Sequence, residues 1–122
     1  MDRYSKVLVC GGRNYNDKEK VSEVLNYLHE HKGMTIIICG GCSGADDLAE
    51  RWANANGVHC ASVKARWTKY GNAAGPVRNM VMASLMPNIC IAFPGGKGTE
   101  NMIGICEVNG IPVKRISNNT GK

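Results

Sequence analysis

The sequence predicts an α/β chain, a single three-layer domain built on a mostly parallel sheet of five strands. Three observations predict it. Short apolar, β-branched runs occur at Lys6–Cys10, Thr35–Cys39, Val58–Val63, Asn88–Phe93 and Ile111–Ile116. Between them, apolar residues repeat with helical spacing. The strands also read as continuous apolar runs rather than alternating ones, the pattern of a sheet covered by helices on both faces.

Each element has its own signals. The first strand leads to a helix capped by Asp17, with Val21, Val24, Leu25 and Leu28 on one face and Gly33 as its stop. After the second strand, Ser43 or Gly44 opens a helix with Asp46 and Asp47 in its first turn, where acids offset the positive helix end. Leu48, Ala49, Trp52 and Ala53 form its inner face and Gly57 closes it. The third strand is followed by a long polar and aromatic connection from Arg66 toward Asn79, with Pro76 in the first turn of the third helix. Thr99 and Glu100 open the fourth helix, which Gly110 and Pro112 end before the last strand. Residues 1–117 form the domain and 118–122 a polar tail.

Composition narrows the function classes. At 122 residues and 13.2 kDa the chain has room for one core. With 43% hydrophobic and 20% charged residues it is not a disordered chain. The first apolar run, Val7 to Cys10, is too short for a signal core or a membrane span, so a cytoplasmic setting with no membrane partner is expected. Lys and Arg number 15 against 10 Asp and Glu, a net charge of +5, which draws anions. Basic residues are spread from Arg3 to Lys122 and aromatics are few, which argues against a nucleic-acid groove. Cys10, Cys39, Cys60 and Cys90 sit in strand runs and read as reduced core thiols. Cys39 and Cys42 have CxxC spacing, but no second ligand pair follows, and His29 and His31 are not one helical turn apart. Neither a metal nor a cofactor is expected.

Glycine carries most of the functional information. Three strands run directly into glycine pairs: Gly11 and Gly12 before Arg13, Gly40 and Gly41 before Ser43, Gly44 and Asp46, and Gly95 and Gly96 between Pro94 and Gly98-Thr99. Any one pair can merely permit a tight turn. Three pairs at strand carboxyl ends share one edge of a parallel sheet, the edge where ligands bind. Lacking Cβ, such turns bring backbone N–H groups close to an anion, and the helix that follows adds its positive end. Neither G-x-G-x-x-G after the first strand nor a P-loop is present, which disfavours dehydrogenase and P-loop chemistry. Trp67 can stack on a base or plug its loop onto the sheet. Arg78 stands at a helix start, where a cation is unfavourable unless an anion offsets it, and with Asn79 it joins the candidate site. Asp46 reads equally as a ribose acceptor or a first-turn helix acid.

These four segments, 11–17, 40–46, 67–79 and 94–99, resemble the YspA-like branch of the SLOG superfamily over nearly the whole chain. The resemblance implies a Rossmann-like fold, a nucleotide-derived small-molecule ligand, sensed or sequestered, and pairing into a homo-oligomer. Its relatives include DprA and the LONELY GUY phosphoribohydrolases. The hydrolase signature, Pro-Gly-Gly-x-Gly-Thr-x-x-Glu, is preceded by a helix with Arg and, four residues later, Met. Arg78 and Met82 match that pair, whereas Met102 stands where the signature has Glu. A thioether cannot move a proton, so the alternative function, a nucleoside monophosphate phosphoribohydrolase or related N-glycosidic transferase, needs Asp46 or Glu100 instead.

Overall fold

The computed structural model describes residues 3–117; the expected tail at 118–122 lies outside them. Five strands, β1 (Lys6–Cys10), β2 (Ile36–Cys39), β3 (His59–Ser62), β4 (Ile89–Ala92) and β5 (Val113–Arg115), form one sheet in the order β3-β2-β1-β4-β5. All four pairings are parallel. The chain moves outward from β1 through β2 to β3, then crosses back to add β4 and β5 on the other side. Strand order therefore reverses between β1 and β4, at the centre of the sheet.

Both faces are covered. Val7, Val9, Ile37, Cys39, Ile91 and Phe93 pack beneath α1 (Lys18–Lys32) and α2 (Ala45–Asn56). Leu8, Cys10, Ile38, Cys90 and Ala92 pack beneath α4 (Ala74–Ser84) and α5 (Lys97–Val108). Neighbouring residues of β1 thus enter opposite layers, which is why the strand needs an unbroken apolar run. Asp17 caps α1 by accepting the Lys20 N–H at 3.0 Å, and Gly33 and Gly57 end α1 and α2 in the left-handed region at φ 75° and 69°. Trp52 of α2 donates from its indole N–H to Asn26 of α1 at 2.9 Å, satisfying the polar edge of a buried ring.

Two helix starts differ from the sequence reading. The connection after β3 contains a helical turn, α3 (Trp67–Tyr70), and a 3-10 turn at Gly71–Ala73 that runs directly into α4. Pro76 is the third residue of α4, still within the first turn, where its missing N–H leaves no bond unmade. α5 begins at Lys97, two residues before Thr99, so the last glycine loop is itself partly helical.

Candidate functional site

The carboxyl ends of β1 and β4 open onto a cavity of about 290 Å³ at the reversal of strand order. Gly11, Gly12 and Arg13 form one wall; Gly96, Lys97, Gly98 and Thr99 form the opposite one; Asp46 and Cys42 enter from the α2 side and Arg78 and Asn79 from α4. Cys10, Met82 and Met102 make an apolar floor.

α5 points its start at this space. Gly96 precedes the first turn, no side chain caps it, and the N–H groups of Lys97, Gly98 and Thr99 have no acceptor among the described residues. At the start of α2 the N–H groups of Asp46 and Asp47 likewise have no acceptor among the described residues, but the first one is met. The Gly12 carbonyl accepts the N–H of Ala45 at 3.1 Å and that of Tyr15 at 3.2 Å, closing the β1 turn onto α2.

Arg78 reaches across the cavity from α4. Its Nη1 donates to the Gly40 carbonyl at 2.8 Å and to Cys42 Sγ at 3.4 Å, and its Nε donates to Asn79 Oδ1 at 2.9 Å. Asn79, only 4% exposed, passes the connection to α5 by donating to Asn101 Oδ1 at 2.8 Å and to the Gly98 carbonyl at 3.4 Å. Asp46, 7% exposed, accepts the N–H groups of Gly40 and Cys42 at 3.1 and 3.3 Å, both on Oδ2. Burial pushes its carboxyl up to about 6, against the pull of those two N–H groups and the positive charges of Arg78 and Arg13. Asp46 is thus both the brace of the β2 turn and an acid facing the cavity.

Several expected site residues stand behind the walls rather than on them. Gly40 lacks room for a Cβ, which would sit 2.5 Å from Arg78 Nη1 and 3.0 Å from Asp46 Oδ2; the glycine lets these two side chains meet over it. Gly41 faces Ser62 and Lys64, Ser43 donates its hydroxyl to the Arg13 carbonyl at 3.1 Å, and Gly44, at φ 78°, packs on the Gly12 and Arg13 backbone. Pro94 accepts the Gly12 N–H at 2.9 Å, and Gly95 lies against that same N–H and Thr99. Six residues predicted as ligand-binding, Gly40, Gly41, Ser43, Gly44, Pro94 and Gly95, therefore lie outside the cavity lining, where they pack the turns against one another and against α4 and the end of β3. Trp67 does not line the main cavity and does not plug the sheet. It stands 51% exposed beside an adjoining hollow of about 330 Å³, with the Arg13 guanidinium 5.9 Å from its ring centre.

The sequence reading omitted Cys10, Cys42, Met82, Lys97 and Met102 from the lining. Lys97 was detectable, being the one cation inside the last glycine loop. Met82 and Met102 read as core filler, and at 2% and 1% exposure they are core as well as floor. Glu100, the other carboxylate considered as a stand-in for that of the hydrolase, stands outside the cavity lining. It forms a two-pronged pair with Arg115 at 2.9 and 3.1 Å, which holds its carboxyl below its usual range. Among the described residues, no helix is long and apolar enough to cross a membrane.

Comparison with known proteins places this geometry in a family. Residues 5–70 match the model described as the YspA, cpYpsA-related SLOG family. The chain is 34% identical over 116 residues to the Gene 61 protein of Mycobacterium phage D29, covering 88% of this chain and 93% of that protein. Its fold is similar to that of DNA processing protein A (DprA) from Streptococcus pneumoniae, with a TM-score of 0.73 at 19% identity over 98% of this chain. The chain spans about half, 52%, of the DprA chain. With a family model matching over half its length and a relative matched nearly end to end, the chain belongs to the YspA, cpYpsA-related SLOG family.

Proposed function

We propose that the chain binds a nucleotide-derived, phosphate-bearing small molecule in the central cavity, to sense or sequester it. One observation carries this reading: the unoccupied donors at the start of α5 meet Arg13, Arg78 and Lys97 at a single cavity on the switch-point edge. Fixed N–H groups and two guanidinium groups suit phosphate oxygens, which accept from planar donors. Asp46 offers an acceptor for a sugar hydroxyl, and the half-exposed Trp67 ring offers a flat face for a base. Free cysteines at all six positions support a reducing, cytosolic setting. Exposed Val81, Leu85 and Met86 on and after α4 support association with a second copy.

The test is a native mass spectrum of protein purified from cells, followed by calorimetric titration with nucleoside mono- and diphosphates. A retained nucleotide, or micromolar binding that Arg78→Ala weakens by about tenfold or more, is expected. Failure of every nucleotide to bind better than inorganic phosphate overturns the proposal.

A second reading, hydrolysis of an N-glycosidic bond, is favoured by one observation: Asp46 is a cavity carboxyl pushed up to about 6, where an acid can give and take protons. Release of free base from nucleoside monophosphates, lost in Asp46→Asn, would establish it over pure binding.

A further inference from the structure

Away from the cavity, on the sheet face that α2 covers, three donor side chains meet that the candidate site does not use. Cys39 ends β2, Cys60 lies on the edge strand β3, and Glu50 stands on α2. Their two sulfurs and a carboxylate oxygen all lie within 4.8 Å of one another. No sequence spacing announces this group. It forms because β2 and β3 pair with Ile37 opposite Cys60 and Cys39 opposite Ser62, which sets the two thiols diagonally on one face.

The spacing of the two sulfurs suits a shared cation as well as the S–H···S hydrogen bond they make without one. Cys39 Sγ and Cys60 Sγ are 3.7 Å apart, and both cysteines are free. Two thiolates held by one tetrahedral zinc at about 2.3 Å stand about 3.8 Å from each other, whereas a disulfide requires about 2.0 Å. Glu50 is half-buried, and it has no ion pair or hydrogen bond with another described residue. Without such a partner its carboxylate is free to accept a positive charge. Ser62, the register partner of Cys39, has a buried hydroxyl oxygen with no hydrogen-bond partner, so the same face holds a further polar atom in need of one.

We propose that Cys39, Cys60 and Glu50 form a binding site for a thiophilic divalent cation of the zinc class, with the fourth coordination position left to solvent. Binding releases the two thiol protons to solvent, and the resulting group of one dication, two thiolates and one carboxylate carries a single negative charge. Its place in the fold gives it a purpose. Cys39 leads directly into Gly40, whose carbonyl receives Arg78 and whose N–H goes to Asp46, so a cation here anchors the cavity wall from behind.

The test uses the full chain, reduced and stripped with a chelator, titrated with Zn²⁺ against a colorimetric competitor and with Co²⁺ for its visible spectrum. One equivalent of Zn²⁺ is expected, with the intense tetrahedral cobalt bands and thiolate-to-cobalt charge transfer that two sulfur ligands produce. Cys60→Ser is expected to weaken Zn²⁺ binding about a hundredfold and Glu50→Gln about tenfold, while Cys42→Ser binds as the parent does. In the parent chain, Zn²⁺ should slow alkylation of Cys60 and leave that of Cys42 unchanged, a readout that needs no variant to fold. Binding that survives Cys60→Ser, an octahedral cobalt spectrum, or unprotected Cys60 overturns the site.

Discussion

The Arg78 guanidinium donates to the Gly40 carbonyl at 2.8 Å, joining α4 to the turn after β2 through a contact that only a residue without Cβ allows. A substitution at either end tests the same junction. Gly40→Ala would force Arg78 and Asp46 apart and is expected to cost about 2 kcal/mol or more, read by urea denaturation. Arg78→Ala should cost about 1 to 2 kcal/mol, because it also leaves the Gly40 carbonyl and Asn79 Oδ1 without their donor. Arg78→Lys should recover part of the stability but not ligand affinity, since an ammonium cannot hold two acceptors in the guanidinium plane.

Asp46 predicts a pH dependence with a definite sign. Its carboxyl titrates at about 6 in the fold, against 3.8 for the free side chain. The folded state therefore holds more protons between those values, and the contribution of Asp46 to stability increases as the pH falls from 7 toward 4. The full difference is at most about 3 kcal/mol. The stability gap between the parent and Asp46→Asn, followed by urea denaturation across that range, should move in the parent's favour on acidification. A flat difference would remove the burial argument.

Glycines that shape the turns can be separated from those that face the cavity. Gly44→Ala places a Cβ on the Gly12 and Arg13 backbone at φ 78°, and a loss of about 2 kcal/mol or more is expected. Around Gly96 and Gly98 the space for a Cβ is open. Alanine at either should leave the melting temperature unchanged or slightly raised, while nucleotide affinity falls if the cavity wall receives phosphate.

Asn79 lies between Arg78 and the α5 start, with its amide bonded on both sides. Asn79→Ala should cost about 1 to 3 kcal/mol by leaving buried partners unmatched. Hydrogen exchange should report faster opening of the first turn of α5 in this variant than in the parent.

Met102→Glu would restore the carboxylate of the hydrolase signature at a position 1% exposed, on the apolar floor beside Met82. The expected outcome is a loss of about 2 kcal/mol or more at pH 7 that diminishes toward pH 5 as the new group takes up a proton. A thermal melt at the two pH values reads it.

The fold was legible because β1, β2 and β4 carry apolar side chains on both faces, and α1 and α2 end at glycines that adopt positive φ. The convergence of the glycine turns was legible for the same reason, since parallel strands place all their carboxyl ends on one edge. What could not be read was the division of labour among the glycines. Gly40 and Gly96 look alike in the chain, yet one makes room for Arg78 and the other borders open space. That difference depends on side chains arriving from α2, six residues on, and from α4, 38 residues on. The helical turn at Trp67–Tyr70 was equally hidden, because four residues are too few to establish a period.

The β1 turn has one consequence for what can enter. Because the Gly12 carbonyl already accepts the first N–H of α2, the two helices opening on this rim are not equivalent: among the described residues α2 keeps two unmet N–H groups beside the acids Asp46 and Asp47, whereas α5 keeps three beside Lys97. The pocket is therefore polarised. On the binding reading proposed above, a guest charged at one end would set its anionic head toward Lys97 and Gly98 and its uncharged remainder over the methionines.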